Sequence, residues 1–550
     1  MLHATNDHAA LAAGFRWDIP QTYNIGTDVS DRVAALHPDR IALVDVAADG
    51  TRRTLNFAGL AQQSTALAAG LSQLGLGRGD RIAVFMPQRI ETALAHIAAF
   101  KLGAISLPLF TLFGPEALLH RLGDSGAAAV ITDSNGAALL AGLRDQLPAL
   151  RHVICADGPS QGSLPMSQVI SDGDPAFTPV STRAEDPALL IYTSGTTGNP
   201  KGALHAHRVM LGHLPGVEVS HDFLPHEGDC FWTPADWGWI GGLMDVLMPA
   251  LHHGLPVVAC RFNKFSAEAA FDLIRREKIR NVFLPPTALK LMRLAPPEAA
   301  QGLNLRSVGS GGEPLGQELL DWGHRVLGLE INEFYGQTEC NMIVSACSAM
   351  EPALPGAIGR PVVGHDVQII DPETGRICED YEQGAVACRA PDPVMFLEYW
   401  NRPDATAEKF LEADTGRWLL TGDTGCRTPC GRIRFVGRDD DVITSAGYRI
   451  GPSEIEDCLL RHPAVHLAGV VGKPDPIRGH VVAAYVTLAE GQAPSDALAH
   501  DIALFVKTRL AAHEYPRVVR FITDMPMTPT GKIIRGALRK MAEEESAADV

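Results

Sequence analysis

Short apolar runs of strand-forming residues alternate with helical patterns along much of the chain. Arg81–Met86 (RIAVFM) reads as a strand and Arg89–Leu102 as a helix. Ala127–Thr132 (AAAVIT) reads as a strand and Gly136–Gln146 as a helix. Further strands are predicted at Leu189–Thr193, Pro256–Cys260, Asn281–Leu284 and Leu305–Gly309, with amphipathic stretches at Ser266–Glu277 and Gly316–Leu327 between them. Strands that are apolar throughout, rather than at every second residue, need cover on both faces. The pattern therefore predicts an α/β fold of layered, mainly parallel β-sheets with helices. Ligands in such folds sit at the carboxyl ends of the strands.

From about Ile443 the texture changes. A short strand precedes Gly447, and a helix starts near Pro452, with Ser453 and Glu456 offering a cap pattern. His480–Leu488 reads as a strand, Ser495–Leu510 as a helix, Val518–Ile522 as a strand and Lys532–Glu543 as a helix. A unit of about 110 residues is large enough to be a domain. The boundary is placed at Gly437-Arg438-Asp439-Asp440-Asp441, because three consecutive acids repel one another and stay solvated. The expected organisation is a large N-terminal domain over 1–437, a linker over 438–441 and a small α+β domain over 442–550.

Composition narrows the class. The chain has 550 residues, 46% hydrophobic and 20% charged, which is globular composition. Lys plus Arg is 47 and Asp plus Glu is 64, a net charge of −17 that disfavours nucleic acid as a partner yet allows a local nucleotide pocket. Ten cysteines occur without a CxxC or zinc spacing; the nearest pair is Cys426 and Cys430. Reduced thiols are expected. The N-terminus has no basic region followed by an apolar core, so no signal peptide is read there. The most apolar long stretch, Thr92–Phe113, is interrupted by His96, Lys101, Gly103 and Pro108 and reads as a buried helix and strand, not a membrane span. The expectation is a soluble cytoplasmic protein with no membrane insertion.

The strongest chemical signal is Tyr192-Thr193-Ser194-Gly195-Thr196-Thr197-Gly198-Asn199-Pro200-Lys201-Gly202, directly after a strand. Glycines expose backbone N–H groups, hydroxyls add donors and a lysine adds positive charge, which together suit a polyphosphate. The spacing is not that of a Walker A loop.

This segment resembles the phosphate loop of the adenylate-forming superfamily, which includes acyl-CoA synthetases, firefly-type luciferases and nonribosomal adenylation domains. Further segments follow in that family's order. Ser310-Gly311-Gly312-Glu313-Pro314 resembles the adenine-site turn. Tyr335-Gly336-Gln337-Thr338-Glu339 resembles the motif whose Thr and Glu meet phosphate and magnesium. Leu420-Thr421-Gly422-Asp423 resembles the ribose-binding motif. Gly437-Arg438, Gly447-Tyr448-Arg449-Ile450-Gly451 and Pro529-Thr530-Gly531-Lys532-Ile533 complete the set.

The resemblance implies a two-step reaction using ATP, Mg²⁺ and coenzyme A. A carboxylate attacks the α-phosphate of ATP, pyrophosphate leaves, and a thiol then takes the acyl group from AMP. Charge builds on phosphate oxygens in the first step. Lys532 is the implied catalytic cation, with Thr338 and Glu339, and Glu339 is the implied Mg²⁺ ligand. Thr193, Ser194, Gly195, Thr196, Thr197 and Lys201 are implied to hold phosphate. Gly312, Glu313 and Pro314 would frame the adenine, Tyr335, Gly336 and Gln337 are further implied cofactor contacts, and Asp423 and Arg438 would hold the ribose, while Arg449 contacts phosphate. In the second step the small domain is implied to rotate about Asp440. Lys532 then gives way to the Gly447–Gly451 loop, with Gly447, Tyr448 and Lys507 assigned to coenzyme A.

Phe231-Trp232-Thr233-Pro234-Ala235-Asp236-Trp237-Gly238-Trp239-Ile240-Gly241-Gly242 resembles the acyl site of acetyl-, propionyl- and medium-chain acyl-CoA synthetases. Trp237, Trp239, Ile240, Gly311 and Gly336 are the expected pocket residues. Acetate-specific relatives carry a bulky tryptophan at the Gly336 position. Two glycines predict a deeper pocket, and a medium-chain acid is favoured over an aryl acid. No cation in these segments suggests a second carboxylate. A stand-alone enzyme loading a separate carrier protein is the alternative; a luciferase-like oxygenase and a nonenzymatic binding role are less favoured. The chain ends eighteen residues after Lys532, and no fused carrier domain is expected. A homo-oligomer, and a lysine acyltransferase or deacylase acting on Lys532, are the protein partners left open.

Overall fold

The computed structural model describes residues 2–160, 162–193, 200–262, 265–354, 356–439, 441–445, 448–475, 478–510, 514–528 and 532–548. Among them, four sheets form. One has eight strands, in the order Glu398–Tyr399, Lys201–Ala206, Pro187–Thr193, Ile105–Pro108, Arg81–Phe85, Ala129–Thr132, His152–Cys155 and Leu164–Pro165. A second has nine, in the order Arg360–Pro361, Cys340–Ser345, Ile331–Gln337, Ser307–Gly311, Asn281–Phe283, Phe231–Trp232, Val257–Cys260, Ile41–Val46 and Arg52–Asn56. Both centres are parallel and both carry antiparallel edges.

Side-chain alternation explains the layering. Ile82 and Val84 face the main core while Ala83 and Phe85 face a second cluster; Leu43 and Val44 divide in the same way on the other sheet. The main core lies between the two sheets and holds the helices Phe57–Gln73 and Ile90–Lys101. The latter is buried at every position but Glu91, which is why its sequence shows no polar face. Helices such as Ala267–Arg276 and Pro115–Ser125 cover the outer faces. Predicted strands and helices lie close to their observed bounds, with local end signals such as the Ser266 side chain accepting from Ala269 N at 3.2 Å.

The sequence pattern did not reveal the third sheet. Val367–Ile370, Gln383–Arg389, Gly416–Arg427 and Phe410–Ala413 form it, with Ile433–Arg438 on Gly416–Arg427, and all its pairings are antiparallel. Its long strand carries interior glycines and charges that read as turns. The fourth sheet joins Tyr448–Ile450, Ile443–Ser445, Gly479–Leu488, Val465–Asp475 and Val518–Phe521, packed with the helices Pro452–Leu460, Asp496–Lys507 and Arg535–Ala548 into the small C-terminal domain.

Three local expectations are corrected. The helix Pro452–Leu460 has Gly451 at its N-cap and no side-chain cap bond, so Ser453 and Glu456 do not cap it. Glu456 points inward instead, accepting from Val470 N at 2.8 Å and from Arg535 Nε at 3.0 Å. The last helix begins at Arg535, not Lys532. Lys532 precedes it, its N–H donating to Thr528 Oγ1 at 3.0 Å. Asp441 is not solvated: Arg535 and Arg539 reach it at 3.3 and 3.5 Å.

Arg535 thus offsets two buried carboxylates at once. Arg535→Met leaves Glu456 with the Val470 amide alone, and the loss is expected to cost about 3 kcal/mol. Urea unfolding followed by circular dichroism measures it; a change below about 1 kcal/mol would mean the pair behaves as a surface bridge.

Candidate active site

The candidate residues converge at the carboxyl ends of the parallel strands Ser307–Gly311 and Ile331–Gln337, which are neighbours in register. Ile331–Gln337 turns back into Cys340–Ser345 through Thr338 and Glu339 alone, with a register shift between Tyr335 and Gln337. Gly336 sits at that shift because a Cβ there would stand 2.3 Å from Met342 N. The hairpin presents Tyr335, Gln337 and Glu339 to three different partners.

The Tyr335 hydroxyl donates to Asp423 Oδ2 at 2.5 Å. Asp423 lies on Gly416–Arg427 directly opposite Arg438, whose guanidinium stands 3.9 Å from the carboxylate. Burial is the largest influence on Asp423 and pushes its carboxyl up to about 6, against the opposing pull of Tyr335 and Arg438. Gln337 Nε2 donates to Thr421 O at 2.9 Å, and Lys409 Nζ donates to Gln337 Oε1 at 3.3 Å.

Glu339 is buried and accepts from the Tyr399 hydroxyl. Lys201 Nζ lies 5.3 Å from the Tyr399 ring centroid. No basic side chain forms an ion pair with Glu339 among the described residues, so its charge is left for a cation to balance. One buried carboxylate with a lysine nearby and no ion-pair partner among the described residues fits Mg²⁺, a hard cation that takes oxygen ligands and keeps several waters. Thr193 pairs with Lys201 across the hairpin Pro187–Thr193 and Lys201–Ala206. Ser194, Gly195, Thr196 and Thr197, at its tip, lie outside the described residues.

Gly312 has φ +94°, a left-handed conformation that suits glycine, and its carbonyl accepts from Lys532 Nζ at 3.0 Å. The small domain therefore brings Lys532 to the Gly312-Glu313-Pro314 turn. Thr338 sits half-buried beside Glu339. Asp440 and Gly447 lie outside the described residues, and Tyr448 and Arg449 lie on the strand Tyr448–Ile450. Lys507 is exposed at the end of its helix, 5.1 Å from the Tyr515 ring centroid.

The expected acyl pocket needs correction. Trp237 is fully buried in the main core and belongs to its packing. Gly311 and Gly336 open no void in the direction a side chain would take: a Cβ on Gly311 would stand 2.5 Å from the Phe334 ring, and one on Gly336 would meet the Asn341–Met342 backbone. Trp239 is half-buried, with Phe110 and Phe113 at ring distances of 5.4 and 5.8 Å, and Ile240 follows it at a helix start. Tyr399, Lys409, Phe334 and Asn341 were not found by sequence reading. Their contacts span tens of residues, and no local spacing marks them.

A profile described as "AMP-binding enzyme" matches residues 30–400, and one described as "AMP-binding enzyme C-terminal domain" matches residues 454–532. The chain belongs to the AMP-binding enzyme family. It is 35% identical to the acetyl-coenzyme A synthetase of Bacillus subtilis over 86% of this chain and 82% of that one. It is 32% identical to the mitochondrial acyl-coenzyme A synthetase ACSM4 of Rattus norvegicus over 95% and 91%. The crystal structure of the anthranilate CoA ligase AuaEII in complex with anthranoyl-AMP aligns with a TM-score of 0.86 at 28% identity, covering 97% and 99% of the two chains. Membership in the adenylate-forming superfamily, read from the motifs, is thereby established.

A raised carboxyl makes stability depend on pH with a definite sign. Asp423 gives up its proton near pH 4 when unfolded and near pH 6 when folded, so stability falls as pH rises through that window and is flat above it. Asp423→Asn lacks this component. Relative to wild type it is expected to gain on the order of 2–3 kcal/mol between pH 4 and pH 7. Urea unfolding of both proteins across that range reads the difference; a constant offset would put the Asp423 carboxyl at its ordinary value.

Proposed function

We propose that the protein is an ATP-dependent carboxylic acid:CoA ligase that forms an acyl-adenylate with release of pyrophosphate, then an acyl-CoA with release of AMP. The observation that carries this reading is the approach of Lys532 Nζ to Gly312 O, which sets a cation of the small domain beside the cleft bounded by Asp423 and Glu339. The names of the relatives, synthetases of acetyl- and acyl-coenzyme A and an anthranilate CoA ligase, support it.

Each residue then has a task. Asp423, once ionised, accepts from the ribose hydroxyls, with Arg438 beside it and Tyr335 holding its other side. Gln337 is tied to Thr421 and Lys409, which keeps the adenine-side strand rigid. Lys201, with Thr193 and the Ser194–Thr197 segment, neutralises phosphate. Mg²⁺, when bound, would neutralise phosphate charge, and Glu339, steadied by Tyr399, is the residue that would hold it. Lys532 stabilises the charge that builds as the carboxylate attacks the α-phosphate. Among the described residues its Nζ makes one hydrogen bond, to the Gly312 carbonyl, a tether weak enough to exchange.

The second step needs the small domain, 442–550, to turn about 438–441 so that Lys532 leaves and Gly447–Gly451 enters. The reading keeps a medium-chain or aryl acid as substrate. Its support is now the aromatic wall of Phe110, Phe113 and Trp239 in place of the two glycines. A carrier-protein thiol is the alternative acceptor.

Pyrophosphate release with ATP and Mg²⁺, across acetate to decanoate plus benzoate and phenylacetate, tests the reaction. CoA-dependent turnover supports the ligase; release that coenzyme A never accelerates points to a carrier. Lys532→Ala is expected to lower acyl-AMP formation by about a hundredfold or more while thioester formation from preformed acyl-AMP stays within a few fold. Lysine acylation at this position would act in the same direction, because it removes the same charge. Acyl-AMP formation at the wild-type rate would overturn the assignment of Lys532.

A further inference from the structure

We propose that Asp245 selects the acid substrate, favouring acids that carry a hydroxyl or amino group on the part of the molecule distant from the reacting carboxylate. The inference rests on the ligase reading above and names the substrate class within it. Asp245 lies on the turn Leu243–Leu247 with its side chain 3% exposed. Oδ1 accepts from Asn341 Nδ2 at 2.5 Å. His213 Nε2 stands 3.8 Å from the same oxygen, and burial keeps that imidazole neutral. Neither Lys nor Arg pairs with Asp245, and Oδ2 has no donor, among the described residues. An interior carboxyl so placed is costly unless something bonds to it.

What Oδ2 faces identifies the occupant. A Cβ built on Gly241 would stand 3.5 Å from Oδ2 and 3.0 Å from the Phe283 ring, so glycine leaves that oxygen uncovered. Phe283 packs on Phe334 with ring centroids 5.2 Å apart, and Phe334 backs Gly311. Asn341 Cα lies 2.8 Å from the Cβ position of Gly336. Asp245 is thus joined through Gly241 to the Trp239–Ile240 segment of the aromatic wall, and through Asn341 to the backbone against Gly336. Burial raises its carboxyl well above the ordinary range, against the opposing pull of the Asn341 amide. With Oδ1 taken by Asn341, Oδ2 is left to bond a substituent: protonated it donates to an oxygen or nitrogen, and ionised it accepts from a hydroxyl or amino group.

The test compares acids in pairs on one enzyme preparation: benzoate against its hydroxy- and aminobenzoate isomers, and octanoate against 8-hydroxy- and 8-aminooctanoate. The readout is the ratio of kcat/KM for pyrophosphate release within each pair, which does not depend on how much enzyme is folded. A purely structural Asp245 would lower both members alike. Wild type is expected to favour at least one substituted acid by about tenfold or more, and the hydroxyl and amino arms show which group it takes. Asp245→Ala is expected to bring that ratio close to one. Gly241→Ala, which covers Oδ2 while leaving the carboxyl in place, should do the same and serves if Asp245→Ala does not fold. A preference for the unsubstituted parent in every pair, or a ratio that survives the substitutions, would overturn the role of Asp245 and leave the ligase standing. No release with any acid would overturn the ligase reading itself.

Discussion

The tight reversal of Ile331–Gln337 into Cys340–Ser345 is the constraint on which the site depends. A strand points successive side chains to opposite faces, so Tyr335 and Gln337 share a face only if their spacing is kept. The register shift at Gly336 twists the strand end and leaves Glu339 in the turn. Three polar side chains within five residues thereby reach Asp423, Thr421 and Tyr399, on two other sheets. Filling Gly336 with any side chain would push on the Asn341–Met342 backbone and disturb all three at once. The glycine that looked like a device for pocket depth is first a device for backbone approach.

The electrostatics of the cleft follow from this packing. Asp423 and Glu339 are brought into the interior by the folding of the sheets around them. A hydroxyl accompanies each, from Tyr335 and from Tyr399. A hydroxyl satisfies a lone pair without cancelling charge, so both acids retain capacity for a ligand or cation. Lys201, Lys409 and Lys532 stand at the margins, engaged with an aromatic face or with carbonyls. Among the described residues none of the three forms an ion pair, so their positive charges stay unneutralised at the cleft.

The helices and parallel strands were legible in the sequence because their apolar runs are continuous and their ends carry local signals such as Ser266 and Gly126. The motifs were legible because phosphate chemistry needs glycine, hydroxyl and lysine close together in the chain. The antiparallel sheet between residues 367 and 438 was not, since Gly422 and Asp423 read as turn residues yet lie within one twelve-residue strand. Gly422, at φ +78°, is a kink inside that strand and not its end. Tyr399 and Asn341 were invisible for a different reason: each matters through one partner far away in the chain, and neither residue type is unusual where it stands.

The small domain sits against the large one with acids on both sides of the contact. Burial pushes Glu333, beneath the Gly312–Leu315 turn, up to about 8, and Asp457 adds to the effect. Asp457 is itself pushed up to about 6 by burial, with Lys290 of the large domain pulling the other way, and its carboxylate lies 3.2 Å from the Cβ position of Gly316. A contact that crowds two carboxyls costs free energy once they ionise. Lys532 offsets part of this through one bond to Gly312. On the proposed two-step reading, in which the small domain takes two arrangements in turn, holding either one tightly brings no gain, because the deeper well would set the rate of leaving it. On that proposal the contact and the lysine tether act together: they set the cation at the Gly312 turn while leaving the arrangement easy to undo.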